Sequence, residues 1–367
     1  MLTMRLRRLT LFLGITLLLA PPAVAVEREW QFYDLGFLEL GAGEEPPPPF
    51  SMGLGINESY QVVGRSGPWP QNGQAFSWET NPMSQLPLPP GVTADRSVAF
   101  DVNDNGQIAG SYQEPFQGPG INTEHGFYYS GGSSVTLQDF APRKLNNAGQ
   151  MIGTFVGGVN TGSQGLKQGA AESVLPLTFA ADINHQGQVA GDANFGSGVN
   201  AALWDSGTLQ ELVPLAGHLS STASAINGLG DVVGWSMPAA GSKHLVKWSG
   251  SDVFDLGEAP DEAFQINAFN DLGQIVGHSS LYASLWENGE FKNLNDFVPD
   301  AFSNWLLAFA QDINEFGSIT GYGYVDGLPF QRAYLLKAVV TPEPISSALF
   351  LVGGGTLLAL RRRRSKT

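Results

Sequence analysis

Seven times along this chain an apolar residue precedes Asn, a Gly usually follows three positions later, and a second Gly stands four positions beyond that. The asparagines are Asn57, Asn103, Asn146, Asn184, Asn227, Asn270 and Asn314, at intervals of 46, 43, 38, 43, 43 and 44 residues. Copies two to seven hold both glycines, as in Ile226-Asn227, Gly230 and Gly234; the first, Ile56-Asn57, keeps Gly64 but has Tyr60 at the middle place. Between 16 and 26 residues past most of these asparagines a short apolar run ends in a large aromatic: Ala75-Phe76-Ser77-Trp78, Gly126-Phe127-Tyr128-Tyr129, Ala202-Leu203-Trp204, Val246-Lys247-Trp248 and Ser284-Leu285-Trp286, with Ala333-Tyr334-Leu335-Leu336 closing the series. No part of the body sustains a helical period.

Asn three residues before Gly suits a tight turn, because Asn bonds its own backbone and Gly accepts a positive φ. Trp286-Glu287-Asn288-Gly289-Glu290-Phe291 predicts a two-residue hairpin. Each unit then reads as four short strands in about 43 residues, the size of one propeller blade. The pattern predicts an all-β chain folded as a seven-bladed β-propeller. Its sheets should pack face to face, the aromatics of one against alanines of the next such as Ala99, Ala180, Ala223 and Ala310. The third unit has Ala170-Ala171-Glu172 where the aromatic strand belongs, which predicts an irregular blade. Trp30-Gln31-Phe32-Tyr33-Asp34-Leu35-Gly36 echoes Val253-Phe254-Asp255-Leu256-Gly257 and stands before the first unit, so it is expected to complete the seventh blade and close the ring. Gly41 to Gly53, with Pro46 to Pro49, reads as a linker, and the insertions Gln113 to Glu124 and Phe155 to Leu166 as adaptable surface loops carrying Phe116 and Phe155.

The two ends follow other rules. Arg5, Arg7 and Arg8 precede an apolar run from Leu9 to Ala20, and Ala23 and Ala25 supply the small residues that signal peptidase requires, so residues 1–25 read as a signal peptide. At the other end Pro342-Glu343-Pro344 is followed by sixteen mostly apolar residues, Ile345 to Leu360, and then by Arg361, Arg362, Arg363 and Arg364. Sixteen helical residues span about 24 Å, a marginal length for a hydrocarbon core of roughly 30 Å. The basic cluster, residues 361–366, should stay cytoplasmic and leave the body, residues 26–340, on the opposite side. The competing account is a buried terminal helix, for which four terminal arginines have no use.

Residues 341–367 resemble the PEP-CTERM sorting domain of Gram-negative bacteria, in that order of motif, apolar segment and arginines. The resemblance implies transient residence in the inner membrane, recognition by an exosortase at Pro342, Glu343 and Pro344, and transfer of the body to the cell surface or beyond. The repeats in turn resemble the HAF family of extracellular repeats: Asp182-Ile183-Asn184, Asp312-Ile313-Asn314 and Ala201-Ala202-Leu203-Trp204 match its units, and His125 and His244 fall near its His position. That family implies a surface location and a repeat architecture, and no chemistry.

Between residues 26 and 340 there are 11 Lys and Arg against 33 Asp and Glu, a net charge of −22 that repels phosphate backbones and excludes nucleic acid as a partner. The chain has no cysteine, so disulfides and thiolate chemistry are excluded and the exported body must be held by its own core. No nucleophile elbow, phosphate-binding Gly-Lys loop or His-Glu-x-x-His site is present, the five histidines are scattered, and no cofactor is expected. Asp101, Asn103 and Asn105 occupy the first, third and fifth places of a run ending in Gly106, like the opening half of a calcium loop. Tyr112 stands at the twelfth place, where a Glu would complete it, and a plain hairpin competes. Two function classes remain: a module binding an extracellular polysaccharide or a surface protein, or serving structurally in the matrix, and a secreted polysaccharide hydrolase or lyase. The second would need carboxylates from several blades meeting in one channel.

Overall fold

A computed structural model describes residues 28–38, 49–68, 73–80, 82–94, 96–114, 124–196, 198–326, 328 and 330–340. Residues 30–339 form one compact unit. The signal peptide, most of the Pro-rich segment, the sorting motif, the apolar tail and the arginine cluster lie outside the described residues. Among those described, no helix is long and apolar enough to cross a membrane.

The unit consists of seven four-stranded antiparallel sheets, and the propeller expected from the repeats is what forms. The first strands of the blades are Pro49–Ile56, Arg96–Val102, Phe140–Leu145, Phe179–Ile183, Ser220–Ile226, Gln265–Phe269 and Trp305–Ile313. Residues from all seven line one central cavity, so these are the inner strands. The buried side chains fall into seven clusters, and together they fill the spaces between successive blades. Ala99, Ala180, Ala223 and Ala310 are all buried in them. Small residues on one sheet leave room for the large rings on the next, and the core is a stack of interfaces rather than one central mass.

The Asn turn repeats in every blade: the Asn N–H donates to the carbonyl four residues on, and the N–H of the third residue returns to the Asn carbonyl. That third residue has a positive φ throughout, between 69° and 84° at the six glycines and 63° at Tyr60. Tyr60 tolerates the strain while its ring receives Lys337 Nζ at 3.7 Å. The second glycine of the motif has a different cause. Each inner strand carries a β-bulge just before the Asn, for example between Ala223 and Ala225, and the opposing glycine sits against it. A Cβ on Gly64, Gly110, Gly153, Gly191, Gly234, Gly277 or Gly321 would fall onto the carbonyl oxygen of the residue five before the Asn. The two glycines thus answer to two backbone constraints, one of torsion and one of space.

Three details depart from the sequence reading. The supposed linker ends earlier, because the first inner strand begins at Pro49, where a residue without an N–H is tolerated at the strand start. The third blade is regular: its third strand is Gln164–Gln168, Ala171–Val174 is its fourth, and Lys167 opposes Met151 in the register where Trp248 opposes Val232. Lys167 reaches across to Glu172 and keeps its stem buried, replacing the missing aromatic. Phe155 is buried and packs edge-on against Phe140 at 5.4 Å, so it presents no surface. The Asn-Gly hairpin forms as expected, with φ of 56° at Asn288 and 88° at Gly289.

The strand Arg28–Asp34 joins the outer edge of the last blade, beside Gln331–Val340. Phe32 packs against Phe302 at 4.9 Å and Trp305 at 5.0 Å, Trp30 stacks on Phe297 at 5.1 Å, and Asp34 pairs with Arg332 at 2.8 Å. Deleting residues 30–36 should abolish cooperative unfolding of the propeller, and Phe32→Ala should cost about 3 kcal/mol; thermal melts of both variants check this, an unchanged melting temperature for the deletion being the contrary result.

Candidate functional site

A closed ring of hydrogen bonds, with a partial second set beside it, surrounds the end of the central channel where the Asn turns lie. The amide Nδ2 of each repeated asparagine donates to the backbone carbonyl of the next asparagine: Asn57 to Asn103 at 3.0 Å, Asn103 to Asn146 at 2.9 Å, Asn146 to Asn184 at 2.9 Å, Asn184 to Asn227 at 3.2 Å, Asn227 to Asn270 at 3.4 Å and Asn270 to Asn314 at 3.0 Å. Asn314 completes the circle by donating to Asn57 at 3.1 Å. In blades one to four and six the same amide also donates to the Gln four residues on. The Oδ1 atoms meanwhile accept from N–H groups within their own turns. The hairpin role read from sequence is real, and the contact between blades is the part that reading missed. Its only trace was the near-constant interval between asparagines.

The residue after the Asn adds a second set of links on the rim, at four of the seven blade junctions. The N–H of Glu58 donates to Asp104, that of Asp104 to Asn147, that of Asp271 to Glu315 and that of Glu315 to Glu58, at 2.8 to 3.0 Å. Burial pushes the Glu315 carboxyl up to about 7; the Asp271 N–H opposes this, and the charges of Asp271, Glu58 and Asp104 add to it.

Two residues before the Asn, blades two, four and seven place Asp101, Asp182 and Asp312 in the channel, and blade three places Lys144. Convergent carboxylates are what the hydrolase reading required. Each is engaged by backbone, however: one oxygen accepts from the next residue of its own strand, the other from the following blade, Asp101 from Leu145 at 2.8 Å, Asp182 from Ile226 at 3.0 Å and Asp312 from Ile56 at 2.8 Å. Burial raises the pKa of all three above the ordinary Asp range, against the pull of Lys144, and Asp312 reaches about 7. For Lys144 burial works against the charge, but the attraction of Asp101, Asp312 and Asp182 outweighs it and its pKa lies above the usual lysine value. The oxygens proposed for a calcium loop have the same fate. Those of Asp101 and Asn103 accept backbone N–H groups, and the Asn105 amide donates to the Asn147 carbonyl at 2.9 Å.

One residue further back, at the bulge, the repeat stops being a repeat. Leu54, Phe100, Arg143, Ala181, Ser224, Asn267 and Gln311 occupy this position, seven residue types in seven blades, and all seven line a channel mouth of about 480 Å³. Phe179, Trp235, Phe264, Gln265 and Lys243 also line it, Lys144 reaches it from the channel, and no Asp or Glu is among its described lining residues. Phe179 is 55% exposed. Lys243 lies 4.1 Å from the Trp235 ring and donates to the Phe264 carbonyl, and Arg143 lies 4.3 Å over Phe100.

Replacing Asn146 with Ala should cost about 3 kcal/mol in urea unfolding, since it orphans two turn N–H groups and removes the bond between blades to the Asn184 carbonyl, which keeps only the Gly187 N–H. Asn146→Asp should cost more, because an oxygen then faces carbonyl oxygens; a cost under about 0.5 kcal/mol for both variants would contradict the ring's role. For pH the sign runs downward. Between about pH 4 and 7 the unfolded chain has ionised carboxyls, whereas the folded chain keeps protons on Asp312 and Glu315, so the folded state binds more protons and loses stability as pH rises. The melting temperature should be lower at pH 8 than at pH 5.5, with a smaller difference in Asp312→Asn.

No family model and no curated protein matches this chain. Among solved structures it is similar to the β-propeller domain of the Trilobed protease from Pyrococcus furiosus, described as having an open velcro topology: TM-score 0.50 and 10% identity over 80% of this chain and 98% of that one. The acylaminoacyl peptidase of Pyrococcus horikoshii follows with a TM-score of 0.43 and 10% identity over 72% of this chain and 48% of that one. The fucose-recognising Aleuria aurantia lectin, a six-bladed β-propeller, has a TM-score of 0.37 and 12% identity over 80% of this chain and 96% of that one. At these identities the likeness extends to the propeller fold alone.

Proposed function

We propose that this protein is an exported propeller, processed through a PEP-CTERM signal by an exosortase-type enzyme, whose body binds a saccharide at the channel mouth on the cell surface or in the surrounding matrix. The observation that carries the binding reading is the contrast within one strand set. The Asn and Gly positions are the same in nearly every blade because the backbone demands them, whereas the bulge position differs in every blade and lines the largest cavity described. Repetition marks scaffold, and a patch of unique residues marks recognition. An exposed Phe179 ring beside Ser224, Gln265, Asn267 and Gln311 supplies the apolar face and the hydrogen-bonding groups that a sugar ring uses. Binding rather than cleavage is favoured because the three converging carboxylates are held by backbone amides and no carboxylate lines the mouth among the described residues.

Protein recovered from the surface fraction of the producing cells, with a mass showing loss of the residues after Pro342-Glu343-Pro344, should be retained on a glycan array without shortening the bound saccharides. Phe179→Ala should weaken retention about tenfold, as expected for one lost stacking contact worth roughly 1–1.5 kcal/mol, with an unchanged melting temperature. Intact chain confined to the cytosol, or shortened saccharides, would contradict the reading.

A further inference from the structure

Beside the mouth, between blades one and two, lies a second cavity of about 290 Å³ that holds Arg65 and Arg96. Arg65 is on the second strand of blade one, and its guanidinium meets the Phe50 ring at 5.3 Å and Met52 Sδ at 3.5 Å. Among the described residues no carboxylate pairs with it. Glu124 also lines the cavity, but it is taken by Arg143 at 3.3 Å. Burial lowers the Arg65 pKa, and the nearby charge of Arg96, itself on an exposed position, lowers it further, against an opposing effect of Tyr322.

A half-buried cation without a counterion is costly, and this chain has 34 acidic residues from which to supply one. The arginine stem does cover apolar surface, lying against the backbone of Gly73, but an uncharged long side chain would do that as well. What two guanidinium groups offer beyond packing is paired N–H donors matched to the oxygens of a carboxylate or sulfate. The cavity also adjoins the channel mouth, since Leu54 and Phe100 line both.

We propose that the Arg65–Arg96 cavity is a subsite for the carboxylate or sulfate group of an acidic saccharide whose neighbouring rings lie across Phe100 in the channel mouth. The inference rests on the saccharide reading above and adds the ligand's charge class. A protein of strong net negative charge that recognised an anionic polymer would need such a local concentration of cations, because its overall field opposes the approach.

The test is calorimetric titration of the full chain in mild detergent with three hexamers: a galacturonan, a sulfated galactan and a neutral galactan. At least one acidic hexamer should bind ten or more times more tightly than the neutral one, and which of the two does so separates carboxylate from sulfate. In Arg65→Gln and Arg96→Gln that ratio should fall toward one while affinity for the neutral hexamer stays. Removing an uncompensated charge should leave the melting temperature of Arg65→Gln equal to or above that of the unaltered chain, so lost preference is not lost fold. An acidic preference that survives in both variants, or no preference at all, overturns the proposal while neutral-hexamer binding, sensitive to Phe179→Ala, leaves the saccharide reading standing. Failure of all three hexamers to bind overturns both.

Discussion

Seven side-chain amides passing a hydrogen bond from blade to blade in a circle are the contact on which the rest depends. Each asparagine uses its oxygen to shape its own turn and its nitrogen to reach the next blade, so local backbone geometry and the angle between blades are set by one residue. Individually such bonds add about 1 kcal/mol, but the asparagines are buried, and removing one side chain also leaves the turn N–H groups that its oxygen accepts without a partner, which is the larger penalty. A circle also differs from a row. The bond from Asn314 to Asn57 spans 257 residues of sequence and has the same geometry as its neighbours, so the last blade is held to the first as firmly as any other adjacent pair.

The inner strands do two jobs at neighbouring positions, and the bulge lets them. Without it, alternation along a strand would send consecutive side chains to opposite faces of each sheet, between blades rather than toward the axis. With an extra residue inserted opposite a glycine, the bulge residue lines the mouth while the next supplies Asp101, Lys144, Asp182 or Asp312 to the channel below. Three carboxylates and an ammonium buried together would be destabilising if left to one another. They persist because each carboxylate also receives two N–H groups, one from the adjoining blade, and so acts as a brace across the interface.

The blade count and the closing strand were legible in the sequence because the backbone permits few residues at the Asn and Gly places, and because Trp30 to Gly36 echoes a fourth strand. The ring of amides was not, since a side chain that caps its own turn looks the same whether or not it also reaches a neighbour. Asp182 and Asp312 were read as family signature, and Asp101 as half a calcium loop; only the fold shows their second oxygens meeting another blade. Lys167 hid the third strand of blade three because it is a cation where the other blades mostly have a ring, and only the register against Met151 reveals the equivalence. Arg65 and Arg96 are 31 residues apart in different units and belong to no motif, so their meeting depends entirely on how two blades pack.

If the tail is removed as proposed, a body without cysteine has to keep its fold independent of what is lost. Here both ends of the body enter the same blade, and the order of strands decides how safely. The chain's last described strand, Gln331–Val340, does not form the blade's edge: Arg28–Asp34 covers it on one side and Ile319–Val325 pairs with it on the other. Leu35 N–H bonds the Ala333 carbonyl at 3.1 Å, and Ser51 of the first blade accepts the Ala333 N–H at 2.9 Å while donating to the Gly36 carbonyl at 2.6 Å. The seam is therefore locked to the first blade by residues well before Pro342. Had the closing strand come from the C-terminus, the proposed cleavage near the tail would cut close to the edge of the ring; with the N-terminal strand outermost, such a cut would fall beyond a segment already paired on both sides and would leave the closure untouched.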